Sequence, residues 1–442
     1  MELNQLTTIL KENGVVGAGG AGFPTHAKLD KKADTIILNC AECEPLLKLH
    51  RQVLEKYAFE IVSTLELIAD AVDAKDVIIG IKPSYKKAVM AIEAVLPSFK
   101  KTKIGLLPEI YPAGDEVVLI YETTKRVVPP GNIPITVGVT VFNVESILNV
   151  YNAIHNDEPV TTKYITVTGE VKNPVTVKVP IGITMQEVVD LAGGATVEDP
   201  VLINGGPMTG RITNPYDPVT KTTNAILVMP KDHYIVTKRT ASVKIDMKRA
   251  MSVCCQCRMC TDLCSRNLLG HPIEPHMFMR AASSGVINDI TPMLNTMFCS
   301  QCGLCEMYAC FQDLSPRTLI GEYKAKLRAN GIQIPKDAKF DKVNADRNYR
   351  TVPKARLTAH LGLSKYNFPA PLTEDKVSAK QVKIMLSQHI GAPAKAVVKA
   401  GDEVKAGQVV GEAVSNALSV SVHSSITGTV IDVNNKYITI KA

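Results

Sequence analysis

The sequence contains no tryptophan, and aromatic residues make up only 5% of its 442 residues. It also lacks any run approaching the ~18 apolar residues of a membrane-spanning helix, so we expect no direct membrane insertion. The first residues, Met1–Leu10, do not combine a basic segment with an apolar core, so no secretory signal is predicted. The net charge of +7 is small for this length and predicts no nucleic-acid partner. The expected location is the reducing cytoplasm.

Cysteine, by contrast, is abundant, and eight of the eleven cysteines form two quartets. Their spacing is C-x2-C-x2-C-x3-C in the first quartet and C-x2-C-x2-C-x4-C in the second. This is the ligand pattern of bacterial ferredoxins with two [4Fe–4S] clusters, in which the fourth cysteine of each run reaches the other cluster. The predicted ligands of the first cluster are Cys254, Cys257, Cys260 and Cys310. The predicted ligands of the second cluster are Cys299, Cys302, Cys305 and Cys264.

Structural zinc and disulfides are the alternatives to iron–sulfur clusters. Zinc is usually held by two separated C-x2-C pairs, and disulfides need an oxidising compartment, so neither suits three closely spaced cysteines in a reducing interior. The pattern departs from a plain ferredoxin in two ways. Ser265 and Phe311 stand where a proline often follows the fourth cysteine, and there is one extra residue before Cys310. Cys255, between two ligands, is predicted not to bind iron.

The length predicts several domains, because single cores rarely exceed ~250 residues. The first part of the chain alternates buried strands with helices, which is typical of a Rossmann-like α/β domain with a parallel sheet. The predicted elements are strands at Thr35–Leu38, Asp76–Ile81, Lys103–Leu107 and Thr136–Phe142, and helices at Leu3–Glu12, Gln52–Val72, Ser84–Val95 and Glu145–His155. Ser84 is the expected N-cap of its helix.

After the α/β region, the pattern of apolar and polar residues changes. Tyr164–Gly169 and Val175–Val179 alternate as a hairpin, which favours a small β-grasp (SLBB-like) module. Near the C-terminus, Gly-Asp and Ala-Gly-Gln turns between short strands favour an all-β barrel-sandwich module of the lipoyl type. Val414–Leu418 occupies the hairpin where such modules carry their modifiable lysine, so this module is predicted to be unmodified. The predicted domains are 1–160 (α/β), 161–240 (β-grasp), 241–330 (α-helical two-cluster ferredoxin-like), 331–385 (linker) and 386–442 (barrel-sandwich).

The predicted linker contains a basic stretch. Residues Lys336–Leu357 include seven lysines and arginines against three aspartates. Such a stretch can steer an acidic partner, although a solvated linker is the favoured interpretation.

A glycine-rich loop near the N-terminus, Gly17-Ala-Gly-Gly-Ala-Gly22, matches G-x-G-x-x-G. The match alone is weak evidence for a Rossmann fingerprint, because a helix is predicted before it and Phe23-Pro24 follows it. Glycines nevertheless let backbone N–H groups approach an anion, so a phosphate or flavin cradle is predicted. A flexible connector is the alternative.

Four segments carry a family resemblance. Gly17–Thr25 with Lys28 resembles the FMN-binding loop of the NADH-binding flavoprotein subunit of respiratory complex I. Asn39–Pro45, Tyr111–Glu116 and Asn143–Glu145 resemble further segments of that family, in the same order. With its β-grasp module and two cysteine quartets, the chain also resembles the C subunit of the Rnf complex. Its module order, with the barrel-sandwich last, is similar to that of the cobalamin reductases of propanediol-utilisation microcompartments.

The resemblance implies roles for individual residues. Those implied to hold FMN are Gly17, Gly19, Gly20, Lys28, Asn39 and Asn143. Those implied to line the nicotinamide side are Phe23, Glu44 and Glu116, with Glu42, Gly114 and Asp115 in the same segments. A solvated acidic turn is the alternative for Glu42 and Glu44. Three positions depart from complex I, which has an arginine, an aromatic residue and an acid where this chain has Ala18, Lys31 and Ala41.

The function implied by the resemblance is electron transfer from NADH through FMN and two [4Fe–4S] clusters to a corrinoid. A corrinoid adenosyltransferase or a microcompartment shell protein is the implied protein partner, and the cytoplasm, in or on a microcompartment, is the implied location. Two alternatives stay open. One is an Rnf-like subunit that passes electrons between NADH and ferredoxin, and the other is a non-enzymatic iron–sulfur relay or docking protein.

Overall fold

The computed structural model describes all 442 residues. It has an N-terminal α/β domain, a mixed β module, a helical region that holds the cysteine quartets, and a C-terminal all-β module. This confirms the predicted multidomain α/β class. No helix is both long and apolar enough to span a membrane.

The N-terminal domain is built on a four-stranded parallel sheet of order β3-β2-β1-β5. Its strands are β1 (Thr35–Cys40), β2 (Asp76–Ile81), β3 (Thr102–Leu106), the short β4 (Ile110–Tyr111) outside that sheet, and β5 (Val139–Asn143). Its helices are α1 (Leu3–Glu12), α2 (Leu49–Lys56), α3 (Ala58–Ala71), α4 (Lys86–Val95), α5 (Glu116–Thr124) and α6 (Val144–His155). The central strands are continuous apolar runs because helices cover both faces of the sheet.

Three predicted boundaries in this domain are wrong. The helix predicted over Gln52–Val72 is two helices, because Tyr57 leaves the helical region (φ −119°, ψ 38°) and its hydroxyl donates to Glu374 at 2.6 Å. Ser84 does not cap α4, which begins two residues later with Tyr85 in the N-cap position. The strand predicted from 136 begins at 139, because Pro134–Val137 forms a 3₁₀ turn.

The β-grasp module contains the predicted hairpin, in which two strands pair antiparallel from Thr162–Pro180 to Val167–Val175. Its elements are β6 (Thr162–Gly169), β7 (Val175–Pro180), α7 (Met185–Leu191), β8 (Val201–Asn204), β9 (Arg211–Thr213) and β10 (Ala225–Met229). Thr184 and Glu187 form a capping box that fixes the start of α7.

Short helices make up the region with the two quartets. They are α8 (Tyr234–Thr240), α9 (Val243–Val253), α10 (Met259–Asp262), α11 (Pro275–Ser284), α12 (Thr291–Leu294) and α13 (Pro316–Ala329), with a π-helical turn at Cys305–Ala309. The apolar cluster around α9, α11 and α13 has only seven buried residues, and Cys254, Cys299 and Cys310 pack against it. A core this small depends on additional cross-links for its stability.

The segment 331–385, which the sequence predicts to be a linker, is packed against two modules. It contains β11 (Val352–Pro353), α14 (Lys354–His360), β12 (Leu372–Thr373) and β13 (Gln381–Met385). Strand β11 pairs antiparallel with β4 of the α/β domain, and β12 extends the β-grasp sheet beside β7. Strand β13 already belongs to the C-terminal module.

The C-terminal module consists of two small antiparallel sheets, of order β13-β19-β18-β15 and β14-β16-β17. Its remaining strands are β14 (Lys395–Ala396), β15 (Glu403–Val404), β16 (Val409–Glu412), β17 (Val422–His423), β18 (Gly428–Val433) and β19 (Tyr437–Lys441). The segment 414–418, without a lysine, connects β16 to β17.

Candidate functional site

Two asparagines mark the centre of the site in the α/β domain. Asn39 at the end of β1 and Asn143 at the end of β5 are direct partners in the parallel register. From β1 the chain proceeds to β2 on one side, whereas β5 lies on the other. This is the topological switch point of the sheet, where open α/β folds bind ligands at the carboxyl ends of the strands.

The glycine loop is fastened beside this point. The Ala18 N–H donates to Ser146 Oγ at 2.8 Å, which ties the loop to the first turn of α6. A side chain at Gly19 would lie 2.4 Å from Asn224 Nδ2, and Gly20 has φ +61° with open space around it. The loop therefore presents backbone beside a helix N-terminus, where N–H groups and the helix dipole favour an anion. These features fit the phosphate group of FMN.

Lys28 lies among several of the predicted flavin and nicotinamide residues. Its Nζ donates to the Val141 carbonyl at 2.8 Å and lies 3.5 Å from Glu116 Oε1. The same Nζ is 5.9 Å from the ring centroids of Phe23 and Phe142. The structure thus brings Phe23, Lys28 and Glu116 together beside β5.

Asn39 is held by the Tyr111–Glu116 segment. Its Nδ2 donates to the Gly114 carbonyl at 2.9 Å, and its Oδ1 accepts from the Ala41 N–H at 3.2 Å. Gly114 is closely packed, since a side chain there would come within 3.2 Å of Cys43 Sγ. Asn143 caps α6 through the N–H groups of the helix start, and its Nδ2 lies 2.9 Å from His50 Nε2.

The two predicted glutamates are each bound by protein groups. Glu42 accepts from the His50 N–H at 2.7 Å and from Arg51 Nε at 2.9 Å, at the start of α2. Burial alone would raise its pKa, but Arg51, His50 and Lys354 together outweigh burial and lower the pKa to about 2. Glu44 accepts from the N–H groups of Met208 at 2.8 Å and Thr209 at 3.0 Å in the β-grasp module. Burial raises the pKa of Glu44.

A buried ion pair beneath the loop was not predicted from the sequence. Lys163 on β6 pairs with Glu145 on α6, and both side chains are 1% exposed. Lys163 Nζ also donates to Asn224 Oδ1 at 2.9 Å, the residue that packs against Gly19. The β-grasp module therefore supports the loop from below. A lysine in strand β6, whose other residues are all uncharged, is the one signal that could have indicated this pair.

The first group of thiols surrounds a small cavity of about 30 Å³. The cavity is lined by Cys254, Cys257 and Cys260 together with Cys310 from the second quartet. Burial, and then the Cys310 thiol, raise the pKa of Cys260 to about 12. The Cys260 thiol therefore carries its proton when no metal is present, and iron replaces that proton on binding. The four thiols are the predicted ligands of the first cluster, and they fit it.

The second group is formed around Cys302. Burial first, and then the nearby thiols of Cys264 and Cys299, raise the pKa of Cys302 to about 12. Cys305 likewise has Cys299 and Cys302 among the thiols that raise its pKa. Cys264 from the first quartet therefore lies with the second quartet, in the exchange that the spacing predicts. Gln301 N–H and Nε2 lie 3.4 and 3.3 Å from Cys299 Sγ, and hydrogen bonds of this kind tune cluster potentials.

The two groups have the same backbone geometry. Gln256 and Gln301 occupy equivalent positions and both have left-handed φ values, 57° and 60°. Arg258 and Gly303 are the next equivalent pair, at 68° and 82°. The repeated turn directs successive cysteines toward one point, as a three-thiolate grip requires.

One short segment of the α/β domain touches both sites. Gly114 accepts from Asn39, as described above, and the adjacent Asp115 forms an ion pair of 2.9 Å with Arg266, two residues after Cys264. In the same segment, the Tyr111 hydroxyl donates to the Cys302 carbonyl at 2.5 Å. The second thiol group therefore lies against the segment that holds Asn39.

Comparison with known proteins agrees with this architecture module by module. The family model of the Nuo51 FMN-binding domain matches residues 10–152, and the SLBB domain model matches 164–212. The 4Fe-4S dicluster domain model matches 253–315, and the RnfC barrel sandwich hybrid domain model matches 369–442. FMN and two iron–sulfur clusters are therefore the cofactors of this chain.

Two curated proteins match over the full length. Cobalamin reductase PduS of Salmonella typhimurium is 40% identical over 100% of this chain and 97% of its own length. The chain belongs to the PduS cobalamin reductase family. A second family member, from Citrobacter freundii, is 41% identical over 97% of this chain and 94% of its own length. Members of this family are oxidoreductases, and the resemblance predicted from the sequence is confirmed.

More distant relatives match in part. One component of the Na(+)-translocating ferredoxin:NAD(+) oxidoreductase complex of Acetobacterium woodii is 34% identical over 61% of this chain and 59% of its own length. Among solved structures, an NAD+-reducing [NiFe]-hydrogenase in the H2-reduced state has a TM-score of 0.50 at 19% identity, over 77% of this chain and 64% of that chain. That likeness concerns the fold alone.

Proposed function

We propose that this chain is an NADH-dependent reductase of corrinoids. Bound FMN supplies the conversion between two-electron and one-electron chemistry, and the clusters supply one-electron carriers. The balance is NADH + 2 cob(III)alamin → NAD⁺ + H⁺ + 2 cob(II)alamin, so each NADH reduces two cobalt ions. Membership of the PduS family and the two cofactor sites support this function.

The contact between the two sites carries the proposal. Tyr111 and Asp115 bind the chain around Cys302 and Cys264, while Gly114 between them binds Asn39 at the switch point. A nucleotide-oxidising site and a one-electron site that share one rigid segment are suited to rapid electron exchange. This arrangement favours an enzyme over a docking protein that never meets NADH.

The chain's own residues act by binding and orientation. We infer that the glycine loop and Lys28 offset negative charge on the flavin, and that Asn39 and Asn143 orient it at the switch point. Phe23 and Glu116 form the edge where the nicotinamide would lie. Glu42 and Glu44 position the backbone of 42–51 through their contacts with α2 and the β-grasp module.

The chemistry of the reduced corrinoid product indicates a protein partner. Alkylation requires cobalt(I), one electron below the cob(II)alamin formed here, so we propose that a corrinoid adenosyltransferase receives the product and that this reductase donates the further electron there. We also propose, from the family name alone, that the chain works in or on a microcompartment, where a shell protein is the second candidate partner.

An anaerobic titration tests the function. NADH is added to the holoprotein with hydroxocobalamin present, and the absorbance of flavin and corrinoid is followed. We expect flavin bleaching followed by formation of two cob(II)alamin per NADH. No spectral change in the corrinoid, despite a bleached flavin, would contradict the proposal.

The second candidate is an Rnf-like exchange of electrons between NADH and ferredoxin. The match to a component of the ferredoxin:NAD(+) oxidoreductase complex over 61% of the chain favours it. Reduction of ferredoxin without reduction of the corrinoid would support this candidate. Cluster-replete protein that binds no flavin would support the non-enzymatic relay instead.

A further inference from the structure

A surface groove of about 490 Å³ lies beside the thiol groups. One wall comes from α10 and the π-helical turn, and the other comes from α14. The groove residues used below are Met259, Leu263, Tyr308, Phe311, Arg356 and His360. Its size is within the range of small-molecule sites.

The groove is next to ligands of both predicted clusters. Met259 immediately precedes Cys260, and Leu263 immediately precedes Cys264. Phe311 immediately follows Cys310. A molecule in this groove would therefore contact the chain neighbours of thiols from both groups.

The wall is built from the two departures from the ferredoxin pattern. The extra residue before Cys310 is accommodated by the π-helical turn Cys305–Ala309, and such insertions are frequent at functional sites. The turn places the Tyr308 ring 5.2 Å from the His360 ring, edge to face, across the groove. Phe311, in place of a proline, is 65% exposed.

The chemistry of the groove is apolar with a cationic rim. Met259 and Phe311 present polarisable and aromatic surface, which suits a flat conjugated ligand. Arg350, from the same basic stretch as Arg356, pairs with Asp262 and Asp346, whereas Arg356 takes part in none of the ion pairs. Arg356 is therefore free to bind an anionic group such as a phosphate.

We propose that this groove binds the corrinoid during its reduction. The macrocycle packs on Phe311, Tyr308 and Met259, and the phosphodiester of the nucleotide loop binds Arg356. One electron enters per bound corrinoid, and its cobalt goes from Co(III) to Co(II). This inference rests on the proposed corrinoid reductase function and adds the acceptor site to it.

The test compares Phe311→Ala and Arg356→Gln with two exposed control substitutions in the β-grasp module, Tyr216→Ala and Arg211→Gln. Binding of hydroxocobalamin is measured by equilibrium dialysis, and KM is measured in the anaerobic NADH assay. We expect each groove variant to weaken binding and raise KM about tenfold, the effect of one lost charged or aromatic contact. The controls and the rate of flavin bleaching by NADH should not change.

A second ligand isolates the role of Arg356. Cobinamide lacks the nucleotide loop with its phosphodiester, so Arg356→Gln should not weaken its binding, whereas Phe311→Ala should. If the wild type reduces the corrinoid and both groove variants keep its binding and KM for hydroxocobalamin, the groove is not the corrinoid site. The proposed function would still stand. A raised KM for ferredoxin alone would assign the groove to a protein acceptor instead. A wild type that bleaches with NADH but reduces no corrinoid would overturn the function itself.

Discussion

Asp115 and Arg266 form a 2.9 Å ion pair that joins the segment Tyr111–Glu116 to the chain just after Cys264. Only 12% of the Asp115 side chain and 16% of the Arg266 side chain are exposed. Asp115 has a second role, because its Oδ1 accepts from the N–H groups of Val117 and Val118 at the start of α5. The pair therefore links a helix cap in one domain to the chain two residues after Cys264, a predicted cluster ligand, in the next.

Replacing Asp115 with asparagine should separate these two roles. Asparagine is as good an N-cap as aspartate, so α5 should be retained while the charge that pairs with Arg266 is lost. We expect about 3 kcal/mol of destabilisation, because Arg266 is left buried and unpaired. Stopped-flow absorbance should show unchanged flavin bleaching by NADH and about tenfold slower cluster reduction, since the sites are no longer held in register.

The exposed pair Lys103–Asp76 is the matched control, with 57% and 48% of its side chains exposed. Asp76→Asn should change stability by less than ~1 kcal/mol and leave both rates unchanged. Equal effects of the two substitutions would mean that the Asp115–Arg266 contact has no special role in joining the domains.

Exchange of the fourth ligand between the quartets predicts which cysteine substitutions belong together. Cys264→Ser should perturb the same cluster signal in electron paramagnetic resonance as Cys302→Ala, and Cys310→Ser the same signal as Cys257→Ala. Cys255→Ala should keep both signals, because this thiol is exposed and is not a predicted ligand. If Cys264→Ser and Cys257→Ala instead perturb the same signal, each quartet holds its own cluster.

The features that could be predicted from the sequence are those encoded locally. Strand β2 is a parallel strand in which every residue after Asp76 is buried, so its apolar run indicates where the strand begins and where it ends, at Ile81. The cysteine spacing likewise encodes its own geometry. By contrast, β11 and β12 are two residues long, and their partners β4 and β7 lie far away in the sequence. No local pattern can reveal such pairing, which is why the sequence predicts a linker in this segment.

The same limit applies to the site. Gly17–Gly22 and Lys28 are recognisable as a motif, but the groups that fasten them come from other modules. Asn224 packs on Gly19 from the β-grasp module, and Ile390 of the C-terminal module donates its N–H to the Ala21 carbonyl at 2.9 Å. These contacts exist only after the modules have docked, so they leave no periodicity or spacing in the sequence.

Lys221 should make stability depend on pH. It is fully buried, and its Nζ donates to the carbonyls of Gly14 at 2.7 Å and Ser421 at 3.3 Å, which joins three modules. Burial lowers its pKa to about 7 from 10.5. Between these two values the unfolded chain binds a proton that the folded chain does not, so stability rises with pH, by at most about 1.4 kcal/mol per pH unit.

Thermal unfolding of the holoprotein between pH 7 and 9.5 measures this dependence. Lys221→Met should remove part of the rise in melting temperature with pH, while Lys376→Met, at an exposed position, should follow the wild type. Identical slopes for wild type and Lys221→Met would mean that Lys221 keeps its proton in the folded protein.

Glu42 should contribute a pH dependence of the same sign in a more acidic range. Its side chain is 2% exposed and pairs with Arg51 at 2.9 Å, and its pKa falls from 4.5 to about 2. A carboxyl with a lowered folded-state pKa contributes stability above its unfolded pKa, and this contribution is lost as the pH falls from 4.5 toward 2. Glu42→Gln should therefore cost about 3 kcal/mol at pH 7. The gap in melting temperature between wild type and variant should stay constant above pH 5 and narrow below 4.5. Glu55→Gln, on the exposed side of the same helix, is the control and should match the wild type at every pH. If the gap between wild type and Glu42→Gln persists unchanged at pH 3.5, packing rather than the charge of Glu42 stabilises α2.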